Sequence, residues 1–101
     1  MHAKTAKFLQ LAAEEMGIDE YVQIRDDYSG RHMYGDKTHA IVCDPQNIYE
    51  LIATAAIRVY EDSTANGEHD ESGERYGTEE FIADCGNFRR DNMGRDDIVL
   101  Y

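Results

Sequence analysis

A chain of 101 residues with 42% apolar residues, one Pro and eight Gly has material for one compact core, leaves no room for a second, and excludes disorder throughout. Asp and Glu total 21 against 10 Lys plus Arg, a formal net charge of −11. That balance disfavours bulk attraction to DNA, RNA or anionic lipid unless the basic groups gather on one patch, and favours a cationic partner: a basic protein surface, a divalent ion or a positively charged ligand.

Life at high salt is a second reading of the same acidity, and the scarcity of Lys agrees with it. The two cysteines, Cys43 and Cys85, lack CxxC spacing; reduced buried thiols and a single bridge are both open. Gln10, Glu14 and Glu15 interrupt any signal-peptide core, and no apolar run approaches membrane length. The expected location is the cytoplasm, without membrane association.

The first predicted element is a helix over 3–16, with Phe8, Leu9, Ala12, Ala13 and Met16 on its apolar side. Lys4 and Lys7 near its start and Glu14 and Glu15 at its end oppose the helix dipole, so it must be stabilised by docking. Gly17 supplies the left-handed closing residue, after which Ile18 folds back onto Ala12 or Ala13. Residues 21–25 alternate as a half-buried strand, with Val22 and Ile24 inward and Asp26-Asp27 ending it.

The Gly-bounded stretch 28–35 connects this strand to a second one over 37–43, and the pair is expected to form an antiparallel hairpin. Ala40-Ile41-Val42-Cys43 suits a strand covered on both faces. Asp44 then reads as a helix cap with Pro45 at the first helical position. The core helix follows to about residue 62, its apolar stripe made by Ile48, Leu51, Ile52, Ala55, Ala56 and Val59. Ala53, Ile57, Tyr49 and Tyr60 extend the apolar set, so cover is expected on more than one side: from the sheet and the first helix, or from a second subunit.

Residues 63–77 hold four acids and no apolar aliphatic except Ala65, and read as a solvated, mobile acidic loop. Thr78 is the expected cap of a short third helix with Phe81, Ile82 and Cys85 inward. Residues 91–97 read as polar connection, and 98–101 as a third strand. The expected fold is one α+β domain over 1–101: a small antiparallel sheet of about three strands packed with two or three helices.

Two surface features carry chemistry. Tyr28, Arg31, His32, Met33 and Tyr34 concentrate aromatic and basic groups between glycines, the residue types of a recognition loop; the structural alternative folds the tyrosines over the sheet and pairs Arg31 with Asp26, Asp27 or Asp36. Glu68, Asp70, Glu71 and Glu74 lead a set of acidic clusters that also includes Glu14-Glu15, Asp19-Glu20, Glu61-Asp62, Glu79-Glu80 and Asp96-Asp97. Converging on one face, they would steer the chain onto a basic groove; spread out, they are a solvated surface.

Catalytic and metal chemistry find little here. The 62–73 stretch resembles an EF-hand loop at its first, third, fifth and sixth places but carries Gly73 where the closing Glu belongs. His39 and Cys43 stand too far apart along a strand for a nucleophile pair, although His39 could approach Tyr21 or Gln23 on the neighbouring strand. No cofactor, metal site or catalytic residue is expected.

With its size, charge and compactness, and the local feature Tyr28-Ser29-Gly30-Arg31-His32-Met33-Tyr34-Gly35, the chain resembles the small acidic accessory proteins of phages and mobile elements, a group that includes anti-CRISPR and other anti-defence inhibitors. The resemblance implies a non-enzymatic inhibitor whose acidic surface competes for a basic nucleic-acid-binding site on a larger protein, without binding nucleic acid itself. The competing reading is a small-ligand or structural accessory module, homodimeric in one version, that uses the Tyr28–Tyr34 loop.

Overall fold

The computed structural model describes residues 1–28, 38–66, 76–86, 88–90 and 97–101, with backbone alone at 26–28, 38, 64–66 and 88–90. The fold is α+β: helices α1 (Ala3–Met16), α2 (Ile48–Asn66) and α3 (Thr78–Asp84) pack with strands β1 (Gln23–Tyr28), β2 (Thr38–Cys43), β3 (Phe88–Arg90) and β4 (Ile98–Leu100). The sheet is antiparallel in the order β1-β2-β4-β3. It has one strand beyond the sequence expectation, the three-residue edge strand β3, whose Phe-Arg-Arg has no alternation to announce it.

Strand β2 is central, and Ala40, Ile41, Val42 and Cys43 are all buried. Ile41 and Cys43 join the main core with Leu100, their side chains meeting Leu9, Ala12 and Ala13 of α1, Ile48, Leu51, Ala55 and Val59 of α2, and Phe81 and Cys85 of α3. Ala40 and Val42 face the other way, clustering with Val99 and Tyr101. A strand buried on both faces loses the polar alternation of a half-exposed one, hence its continuous apolar run.

Helix α1 ends as its sequence dictates. Gly17 takes φ 73° and ψ 21°, and the Ile18 amide donates to the Ala13 carbonyl at 2.9 Å, placing Ile18 against the core. The unfavourable charge at the helix ends is answered from other elements. At the start, the His2 amide donates to the Asp84 carboxylate of the third helix at 2.8 Å; toward the end, Arg58 of α2 pairs with Glu15 at 2.8 Å. An anion at the amino end and a cation by the carboxyl end are what the helix dipole favours, and tertiary packing supplies both.

Several local expectations are corrected. Strand β1 begins at Gln23, after a short 3-10 turn over Asp19–Tyr21, and continues through Asp26 and Asp27; an edge strand tolerates acids because only one of its sides pairs, and the register shifts between Arg25 and Tyr28. Ile24 pairs with Ile41 yet stays 38% exposed. Helix α2 starts at Ile48, not Pro45: residues 45–47 form a turn closed by the Asn47 amide on the Asp44 carbonyl at 3.3 Å, and the Asn47 carbonyl accepts the first helical bond from Leu51 at 2.8 Å. The Asn47 side-chain amide donates to both Asp44 carboxylate oxygens, at 3.0 and 3.1 Å, holding that carboxyl below its usual range.

The third helix is capped by Gly77, with Thr78 as its first residue. The Gly77 amide donates to the Glu80 carboxylate at 3.0 Å, and its carbonyl accepts from Phe81 at 2.9 Å. Phe81 and Cys85 are buried as expected, whereas Ile82 is exposed.

Candidate interaction surface

Arg31, His32, Met33, Tyr34, Glu68, Asp70, Glu71 and Glu74 lie outside the described residues, as does the side chain of Tyr28. The anchors of both segments are described. Tyr28 closes β1 opposite Thr38, which sets the base of the hairpin connection. The acidic segment leaves α2 after Asn66, the helix having continued into the stretch 63–77 assigned to loop. Asp62 and Asn66, the first and fifth places of the EF-hand resemblance, are therefore helical, a conformation that does not wrap oxygen ligands around an ion.

Tyr76 receives the acidic segment on its return. Its ring stacks on Phe8 at 6.1 Å with an interplanar angle of 14°, the Lys4 ammonium sits 4.9 Å from its centroid, and its hydroxyl is 3.1 Å from that of Thr5. Burial pushes the phenol up to about 12. This clasp turns Lys4, one of the two lysines that oppose the helix dipole, toward an aromatic neighbour.

The two thiols are not poised for nucleophilic chemistry. Cys43 and Cys85 are both free and buried. Burial, with Asp44 beside it, pushes the Cys43 thiol up to about 11; burial and Asp84 push Cys85 to about 12. Thiols held protonated are poor nucleophiles at neutral pH. The expected approach of His39 to Gln23 fails on register, since Gln23 pairs with Val42; Tyr21 lies in the turn before the strand. Instead the His39 carbonyl accepts from the Met1 amino group at 3.1 Å. Among the described residues no three His, Cys, Asp or Glu side chains gather as metal ligands, and no helix is long and apolar enough to cross a membrane.

What the described surface does present is acid and exposed apolar side chains. Glu14, Glu15, Asp19 and Glu20 are all exposed around the end of α1 and the turn after it, and Glu50, Glu61 and Glu79 are exposed elsewhere. Tyr49, Ile57 and Tyr60, 73%, 61% and 61% exposed, stand on α2 away from the core. The sequence marks these residues as apolar and leads to the expectation of cover, which their own chain does not provide. No known protein family, curated protein or solved structure matches the chain.

Proposed function

We propose that this protein is a non-enzymatic, protein-binding inhibitor, acting in the cytoplasm, whose acidic surface occupies a basic nucleic-acid-binding site on a larger protein. The observation that carries the reading is the set of exposed acids Glu14, Asp19 and Glu20, beside Glu15 with its Arg58 partner, on a chain of net charge −11. Fixed carboxylates on a folded surface imitate a line of phosphates: they steer the encounter, and they release the counterions that the basic site had held. Two buried, protonated thiols support a binding role over nucleophilic chemistry.

The test is affinity capture from the native host with the tagged chain, at low and high salt. The reading expects a basic nucleic-acid-handling protein retained at low salt and lost at high salt, with labelled oligonucleotide displaced from it by the purified chain. Capture that is indifferent to salt, or a partner that binds oligonucleotide and this chain together, would contradict it.

A further inference from the structure

We infer that the outward face of α2 is the docking ridge for an amphipathic basic helix of the partner, with Tyr49, Ile57 and Tyr60 as its apolar anchors and Glu50 and Glu61 as its charged border. The inference rests on the inhibitor reading and adds a second contact surface, on α2, to the acids at the end of α1.

At 3.6 residues per turn, Tyr49, Ala53, Ile57 and Tyr60 fall within an arc of about 80°. The buried residues Ile48, Leu51, Ala55 and Val59 occupy the opposite side of the helix. Ala53 is exposed too, and the low residue between the tall ones leaves a notch into which a partner's side chain can fit. Exposed to this degree, the two tyrosines and the isoleucine present roughly 400 Å² of side chain, taking about 200 Å² for a fully exposed large residue, the size of a functional patch. Helix formation does not ask for them either: Ile and Tyr are weaker helix formers than the Lys, Glu, Gln or Ala that suit a solvated helix face.

Charge complementarity selects the occupant. Glu50 and Glu61, both exposed, lie on the same border of the ridge, within about 40° of Ile57 and about three turns apart, roughly 16 Å along the axis. A second copy of this chain would bring two bodies of net charge −11 together and set acid borders against acid borders. A helix with an apolar seam and two basic residues about three turns apart meets both features, its seam on the tyrosines and its cations on the glutamates.

The probe is a synthetic amphipathic helix of about 18 residues with Leu along one face and Lys at two positions matching the Glu50–Glu61 interval. It is titrated against the full chain, and binding is read by calorimetry and backbone chemical shifts. Tyr49→Ser with Ile57→Ser should weaken it at least tenfold (about 1.4 kcal/mol) without loss of helical circular dichroism. Glu50→Lys with Glu61→Lys should abolish it and be rescued by the peptide carrying Glu in place of Lys. Three results would overturn the ridge: polylysine of equal charge binding as tightly as the peptide, shifts confined to α1, or self-association that Ile57→Ser abolishes. Salt-sensitive capture of the host partner by the double serine variant would also remove the ridge, leaving the inhibitor reading intact. Peptide binding at the ridge with no salt-sensitive host partner would do the reverse.

Discussion

The hydroxyl oxygens of Tyr76 and Thr5 stand 3.1 Å apart across 71 residues of chain. Thr5 is fully buried on the first helix, and Tyr76 is the residue on which the acidic segment returns to the fold. Either oxygen can donate, and the bond joins the buried Thr5 to the anchor of the most acidic stretch. Removing the phenol oxygen by Tyr76→Phe keeps the ring on Phe8 and the Lys4 contact, so the expected cost is that of one hydrogen bond, about 1 kcal/mol. Tyr76→Ala also removes the stacked ring and should cost about 3 kcal/mol. Urea midpoints of the two variants check both figures.

The Asp84 carboxylate beside the His2 amide predicts a cost for Asp84→Asn. The amide side chain still accepts a hydrogen bond but loses the charge that faces the helix dipole, so stability should fall by about 0.5–1 kcal/mol, less in high salt. Glu15→Gln on the exposed pair with Arg58 should change stability by less than about 1 kcal/mol. Equal effects from the two variants would mean that the dipole contact has no special weight.

Thr78 carries a buried hydroxyl that has no hydrogen-bond partner among the described residues. A polar group desolvated in this way is a standing cost, and Thr78→Val keeps the branched shape while removing it. The variant should be more stable by about 1 kcal/mol in thermal unfolding. Thr78→Val less stable than the parent would show that the hydroxyl is bonded in solution.

The two thiols give the protein an alkaline limit. Their ordinary value is 9.0, against about 11 for Cys43 and about 12 for Cys85 in the fold. Raised folded values mean that the unfolded chain loses these protons first. Their contribution is therefore complete below pH 9 and is lost as pH rises through the folded values. Urea midpoints should fall above about pH 9, and Cys43→Ala with Cys85→Ala should flatten that fall by up to about 1.4 kcal/mol per pH unit for each thiol. An unchanged slope in the double variant would contradict the assignment.

Much of this architecture was legible in the residues. Gly17 marked the end of α1, the run Ala40 to Cys43 marked a strand buried on both faces, and the Ile48–Val59 stripe marked the core helix, because each signal is repeated over several residues or fixed by one conformation. The starts of α2 and α3 were misplaced by one to three residues, since Asp44-Pro45 serves a turn as well as a cap and Glu80 can satisfy the amide of a glycine as readily as that of a threonine. Ile57 and Ile82 show the deeper limit. Apolarity says that a residue gains from cover, but only the packing of neighbours decides whether its own chain provides any. The loop candidates around Arg31 and Asp70 lie outside the described residues.

The measurement closest to the central proposal is the anisotropy of a labelled oligonucleotide bound to the captured partner as this protein is titrated in, at about 0.1 M and about 0.5 M salt. Full displacement at the lower salt, at least tenfold weaker at the higher, is the predicted result. An anisotropy that holds steady or rises as the protein binds would contradict competition for the basic site.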